Sequence, residues 1–258
     1  MKIIFFLSIV CLLTGCAGNE DFKILKQTTG PYDANCYLIY GTESGEAALI
    51  DPGWEIDTLV SAIKGNNLNL RYIFITHGHT DHYYYVTELK KQFPEAKWGI
   101  HKADYDSIIK YPDWEIKAYG QEWVNNRMKD PGTRTYIDFD TESVGEPDFF
   151  VVGNKTYKIG SVEIKTLHTP GHSPGAVCYY TGNILFSGDV LFYRSAGNLD
   201  KQTSNRETFI RSVRELYRLF PDSTVVYPGH NRYTTIGEEK KENRRISMDG
   251  GEYDKSAN

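Results

Sequence analysis

The stretch Thr76-His77-Gly78-His79-Thr80-Asp81-His82 gathers three of the seven histidines of this 258-residue chain around one aspartate. Imidazole nitrogen and carboxylate oxygen are the donors that bind zinc and similar divalent ions. Four such groups within six residues face a small volume. Packed there without a cation, they would leave buried polar atoms unpaired, at a cost in free energy. The plain alternative is a solvated loop that is merely rich in histidine, and it requires no partners elsewhere. The chain supplies partners. His172 sits in Thr169-Pro170-Gly171-His172-Ser173-Pro174-Gly175, Asp189 in Phe186-Ser187-Gly188-Asp189, and His230 in Tyr227-Pro228-Gly229-His230. Each turn adjoins an apolar, strand-like run and is stiffened by Gly or Pro. Strand ends in one sheet layer gather along one rim, so these groups can meet the first loop.

The elements that must position these residues follow from periodicity. Residues 71–76 are apolar and β-branched enough for a buried strand, and 86–93 carry helical spacing, so the histidine cluster lies on a strand-to-helix loop. Strands are expected at 22–25, 36–40 and 47–50, a helix at 56–64, and a strand at 95–100 that ends at His101. Beyond an irregular segment, strands return at 156–159, 162–166, 176–180 and 184–187. A helix at 208–220 aligns Phe209, Val213, Leu216, Leu219 and Phe220 on one side. A last strand at 224–227 and a charged helix at 237–246 precede a polar tail, 247–258. Each half runs strands first and helix later, which suits two sheets packed face to face with helices outside, a single α/β domain over 22–246. The segment 105–150 mixes Tyr111, Trp114, Tyr119, Trp123, Tyr136 and Phe139 with many charges. It is read as a helical insert or lid, against a plain helix pair with core aromatics.

Composition is ordinary for a globular protein, with 24% charged residues and a net charge of −5. With no basic block, nucleic acid is not an expected partner. Met1-Lys2 followed by the apolar run 3–13 is too short to span a bilayer and reads as a signal-peptide core. It ends in Leu13-Thr14-Gly15-Cys16, which resembles the lipobox of bacterial lipoproteins. Residues 1–15 are then a lipoprotein signal, Cys16 is the lipidated first mature residue, and 16–21 is a short tether. The expectation is an exported protein held on a membrane surface, facing the periplasm or the cell exterior. Cys36 and Cys178 lie in apolar strand-like runs and are expected as buried thiols rather than a disulfide.

His77-x-His79-x-Asp81-His82, His172, Asp189 and His230, taken in order, resemble the metallo-β-lactamase superfamily of the binuclear, glyoxalase II-like type. Asp51 fits the family's Leu-Ile-Asp-Pro-Gly turn, and Ser187-Gly188-Asp189 and 233–239 look like the short hydroxyacylglutathione hydrolase-like members. The resemblance implies the αββα sandwich of that family. It implies one metal held by His77, His79 and His172, a second by Asp81, His82 and His230, and Asp189 bridging them. Two Zn²⁺ per chain are the default, with iron or manganese as alternatives. It further implies that a bridging hydroxide cleaves a small ester, thioester or lactone, with Asp189 and Asp81 in catalytic roles. Asp51 is read as a buried carboxylate that orders the metal loop, His101 as a strand-end histidine, and His168 as support for the His172 turn.

The sequence departs from the family pattern in places that bear on substrate. Tyr84 and Tyr85 stand where two glycines are usual, and are expected to narrow the pocket or shift the helix. Gly197-Asn198 stands where thioester-cleaving relatives carry Gly-Arg or Gly-Lys. With 28 residues after His230, a long glutathione-binding helical extension is not expected. Two other readings compete with the hydrolase: a mono-iron persulfide dioxygenase-like enzyme, and a non-catalytic, metal-stabilised surface lipoprotein. β-Lactamase activity is a weaker expectation, because those members generally carry Cys or Ser where Asp189 stands.

Overall fold

Along the strand Ala34–Gly41 the apolar side chains divide by alternation. Tyr37 and Ile39 enter one cluster with Phe74, Val177, Tyr179 and Phe186. Cys36 and Leu38 enter another with Leu59, Ile63, Val86 and Leu89, all from helices. Successive residues of a strand point to opposite faces, so a sheet with both faces apolar must be covered on both sides. The computed structural model describes residues 21–110, 120–199 and 203–248 and the backbone of Cys11–Leu13. Cys16, most of the expected signal and tether, Tyr111, Trp114, Tyr119 and the tail from 249 lie outside the described residues.

Two mixed sheets result. The first runs β1 (Cys11–Leu13), β2 (Phe22–Thr29), β3 (Ala34–Gly41), β4 (Glu46–Ile50), β5 (Asn69–Phe74), β6 (Lys97–His101) and β7 (Phe149–Val151) in spatial order. Its pairings are antiparallel up to β4 and parallel from there on. The second places β13 (Thr234–Thr235), β12 (Val225–Pro228), β11 (Ile184–Gly188), β10 (Val177–Thr181), β9 (Val162–His168) and β8 (Thr156–Ile159) side by side. Only its β11–β12 pairing is parallel. The Tyr37 cluster fills the space between the sheets. Helices Asp57–Gly65 and Val86–Gln92 cover the outer face of the first sheet. Helix Arg206–Leu219 covers the second through Phe209, Val213, Leu216 and Tyr217. This is the α/β sandwich of two packed sheets between helical layers.

The details follow from local chemistry. Asn205 caps the helix Arg206–Leu219, its side chain accepting from Thr208 N at 2.9 Å. Leu219, expected on the buried face, is 53% exposed, and Tyr217 fills that place at 1%. Burying each such side chain contributes about 1.5–3 kcal/mol. Cys36 and Cys178 are free and buried, each on the outer face of a different sheet, so the two sheets separate them. Helix Ile236–Glu242 starts on a capping box between Thr235 and Glu238 and is shorter than its charge pattern suggested. Among the described residues no helix is long and apolar enough to cross a membrane.

The segment 105–150 contains helices Gln121–Arg127 and Pro131–Ile137 and a 3₁₀ turn, Thr141–Val144. Tyr84 explains how it is seated. Its ring stacks on Trp54 at 4.9 Å between centroids and meets Tyr136 at 5.5 Å and Phe139 at 4.7 Å. The Tyr136 hydroxyl donates to Gly53 O at 2.9 Å, below the metal loop. Neither Tyr84 nor Tyr85 lines the cavity, so the expected narrowing does not come from them. The bulk that replaces glycine at 84 instead forms the socket for the segment's aromatic residues.

Candidate metal centre

Parallel pairing brings the ends of β4 and β5 together, and likewise those of β11 and β12. Asp51 follows β4, the histidine loop follows β5, Asp189 follows β11 and His230 follows β12. His172 enters from the turn between β9 and β10. All seven residues expected to hold metal therefore meet on one rim. They form two sets, His77, His79, His172 and Asp189, and Asp81, His82 and His230. Six of these seven side chains are buried, and His230 is half-buried.

In the first set His79 Nδ1 lies 3.0 Å from His77 Nε2 and 3.1 Å from His172 Nε2. Asp189 Oδ2 lies 3.8 Å from His77 Nε2 and 3.6 Å from His172 Nε2. In the second, Asp81 Oδ2 lies 3.3 Å from His230 Nε2 and 3.6 Å from His82 Nε2. Asp189 spans the two, with Oδ2 3.6 Å from His230 Nε2 and Oδ1 3.5 Å from His82 Nε2. Space for this approach depends on Gly229, where a Cβ would sit 2.3 Å from Asp189 Oδ1. Gly53 is equally constrained, since its Cβ would meet Asp81 O at 1.5 Å.

The outward nitrogens of four of the five rings show why lone pairs face inward. His172 Nδ1 donates to Asn198 O at 2.6 Å, and His230 Nδ1 to Tyr32 O at 2.9 Å. His82 Nδ1 donates to Asp51 Oδ2 at 2.9 Å. Thr76 Oγ1 donates to the same oxygen at 2.7 Å, so it accepts from His77 Nδ1 at 3.1 Å. Asp51 Oδ1 also accepts from Thr76 N at 2.8 Å. One buried carboxylate thereby orients a histidine of each set, as read for Asp51 from the sequence. Asp51 adopts φ +54°, a conformation that Asp tolerates better than most residues. His82 Nε2 and Asp189 Oδ1 are buried and have no hydrogen-bond partner among the described residues. A divalent cation is the species that such inward lone pairs and carboxylate oxygens fit.

Asp104 is a functional residue that the sequence reading missed. It is fully buried just after β6. Its Oδ2 accepts from Gly78 N at 2.8 Å and Ser173 Oγ at 2.6 Å, and its Oδ1 accepts from Gly175 N. It ties the His77–His79 loop to the His172 turn. Burial pushes its carboxyl up, against the lowering effect of these hydrogen bonds. Arg245 also escaped notice. Buried, it donates to Ala196 O and Asn198 Oδ1, holding the loop whose carbonyl orients His172. His101 stands at the end of β6 as expected and stacks on His168 at 4.3 Å. His168 supports the His172 turn through the Pro174 carbonyl at 3.0 Å.

The metal-free cluster balances its charge with protons. Burial opposes charge at His82, but Asp81, Asp189 and Asp51 outweigh it and push His82 up to about 10. His230 rises to about 9, because Asp189 and Asp81 outweigh its burial. Asp81 stays well below the usual carboxylate range, as His82 and His230 overcome its burial. His77 is pushed down by burial and by the surrounding histidines. At pH 7 the metal-free protein therefore carries protons on His82 and His230, and metal must displace them. Loading at pH 7 is expected to release about two protons from these rings. Calorimetry in buffers of different ionisation enthalpy measures this, and the release should shrink as pH rises from 9 toward 10.

A cavity of about 550 Å³ opens over the cluster. His79, Asp81, His172, Asp189 and His230 form its floor, and Trp123, Arg127, Tyr136 and Ile137 of segment 105–150 contribute to its walls. Tyr32, Phe192, Asn198 and Leu199 contribute further lining. Arg194, the cation nearest in sequence to Asp189 on its C-terminal side, lies over the Tyr193 ring and does not line the cavity.

An αββα sandwich with this His/Asp rim defines a metal-dependent class of protein, and sequence comparison agrees. The chain belongs to the metallo-β-lactamase superfamily, whose profile matches residues 29–230. It is 30% identical over 214 residues to the hydroxyacylglutathione hydrolase GloC of Haemophilus influenzae, covering 82% of this chain and 92% of that one. Among solved structures it resembles the BLEG-1 B3 metallo-β-lactamase, with TM-score 0.68, 29% identity, and coverage of 88% and 100% of the two chains. It also resembles TTHA1623 in a di-iron-bound form, with TM-score 0.66, 29% identity, and coverage of 84% and 97%. Family and donor set together support the use of a divalent metal.

Proposed function

We propose that this protein is a binuclear metal hydrolase of small esters, thioesters or lactones. The observation that carries the reading is Asp189, whose two oxygens face two complete donor sets. His77, His79 and His172 would hold one ion, and Asp81, His82 and His230 the other, with Asp189 shared. A bound pair of divalent ions lowers the pKa of water to near neutrality and polarises a carbonyl oxygen. The protein's part is to place the acyl carbon over Asp81 and Asp189 and to move protons. Asp81 lines the cavity beside His230, with Oδ2 3.3 Å from His230 Nε2, and its carboxylate would take the proton of the attacking water. That proton then goes to the departing sulfur or oxygen as its bond to the acyl carbon breaks.

The name of GloC supports a thioester among the candidates, and the di-iron form of TTHA1623 supports two ions per chain, iron included. Zinc remains the proposal from ligand type. Export and anchoring through lipid on Cys16 belong to the same proposal, supported by residues 1–16 of the sequence. The test is metal quantification on purified protein followed by thioester, lactone, ester and β-lactam panels. About two metals per chain and chelator-sensitive turnover of one class are expected. One iron with oxygen-dependent persulfide oxidation points to the dioxygenase instead, and full loading without turnover to a scaffold.

A further inference from the structure

Arg127 ends the helix Gln121–Arg127 and is the one lysine or arginine among the described residues that line the metal cavity. Its guanidinium carbon lies 5.7 Å from the Tyr32 ring centroid and 5.2 Å from that of Trp123. Two aromatic faces attract the cation without consuming its N–H donors. Asp33 lines the same cavity, and Asp130 lies three residues further along the chain. Neither lies within ion-pair distance of Arg127, nor does any other carboxylate among the described residues, although the Arg127 charge helps to hold the Asp130 carboxyl below its usual range. The Arg127 guanidinium therefore lines, without an ion-pair partner, a cavity whose floor is the metal cluster.

The position of this cation is fixed relative to the cluster. Tyr32, whose ring faces Arg127, also accepts from His230 Nδ1 at 2.9 Å through its carbonyl. The same ring packs on Tyr136 at 5.4 Å, and Tyr136 is tied to Gly53 O. Gly53 in turn abuts the backbone of Asp81. A residue of the insert is thus held in register with both Asp81 and His230. A planar guanidinium binds carboxylate through paired N–H donors, and its charge does not titrate.

We propose that Arg127 receives a carboxylate carried by the substrate while the acyl carbon lies over Asp81 and Asp189. This rests on the hydrolase reading and narrows its substrate class to small acyl compounds bearing an anionic group away from the scissile bond. The volume of about 550 Å³ requires both features to fit within one small molecule. Arg127 acts here as a specificity-determining residue.

The test uses metal-loaded, full-length protein and two inert ligands of equal shape, 3-(methylthio)propionate and 3-(methylthio)propanamide. Calorimetric titration is expected to show the carboxylate bound at least about tenfold more tightly than the amide. Arg127→Gln should erase most of that preference, and Arg127→Lys should keep part of it, with metal content unchanged in both. Equal binding of the two ligands by the wild type overturns the proposal. So does a preference that survives intact in Arg127→Gln, which would put the carboxylate on the metals. The matching thioesters, 3-(acetylthio)propionate and its amide, give the kinetic arm. An Arg127-dependent binding preference with no turnover of any substrate class defeats the hydrolase reading and leaves the anion site standing. Turnover that ignores the charge in wild type and Arg127→Gln alike does the reverse.

Discussion

Asp189→Ala is expected to lower hydrolytic turnover about a thousandfold or more and to leave about one metal per chain. The expectation rests on where its two oxygens lie. Oδ2 approaches His77, His172 and His230 at 3.6–3.8 Å, and Oδ1 approaches His82 at 3.5 Å. Without Asp189 the first set keeps three histidines, a workable site for one ion. The second keeps Asp81, His82 and His230, but loses the oxygen that fixes its distance from the first. The lost negative charge matters as well. Asp189 is among the groups that push His82 and His230 upward, so its removal lets both lose their protons more readily. Metal uptake would then displace fewer protons even as occupancy falls. Elemental analysis and turnover at saturating metal read the two effects separately. Full activity in Asp189→Ala would falsify the shared-carboxylate mechanism, and normal occupancy without activity would confine Asp189 to the chemical step.

The donor residues were legible because each carries a local mark. His172, Asp189 and His230 lie in Gly- or Pro-containing turns beside apolar runs, and those runs became β9 to β12. The sandwich was legible for a related reason. Period-two runs must be covered on two faces, and the helical stripes were there to cover them. Asp104 carried no such mark. It is one acid in the charged run Lys102-Ala103-Asp104-Tyr105-Asp106, and its partners Ser173 and Gly175 lie about seventy residues away. The available hint was slight: an aspartate three residues after a strand, followed by Tyr105, Ile108 and Ile109, which are all buried. The packing role of Tyr84 is not legible in the sequence because its surroundings are equally remote. A ring in place of glycine reads as an obstruction until Trp54 and Tyr136 are found beside it. Local sequence reports what a residue can do, whereas the packing of distant segments decides which buried polar atom needs it.

Asp104→Ala is therefore the sharper test of how the rim is held. Two effects oppose each other at this site. Burial holds the Asp104 carboxyl above its ordinary value, so the charged form is disfavoured by folding even with three donors aimed at it. Removing the charge recovers that cost. Against it, the variant strands Gly78 N and Gly175 N in the interior, at about 1–3 kcal/mol each, and opens a void. The stranded amides win, and a net loss of about 2–5 kcal/mol is expected in urea unfolding of the metal-free protein. That is a large part of the ~5–15 kcal/mol that holds a typical domain together. The sign of the pH dependence separates the two effects. A carboxyl raised in the fold contributes its stability below the unfolded value and loses it as pH rises through the folded one. The gap between wild type and Asp104→Ala should therefore be widest at acid pH and narrow toward neutrality. A gap that widens toward neutral pH would mean that the ionised carboxylate, rather than the satisfaction of two amides, secures the histidine loops. Metal affinity should fall in the same variant, since Gly78 lies between His77 and His79 and Ser173 follows His172.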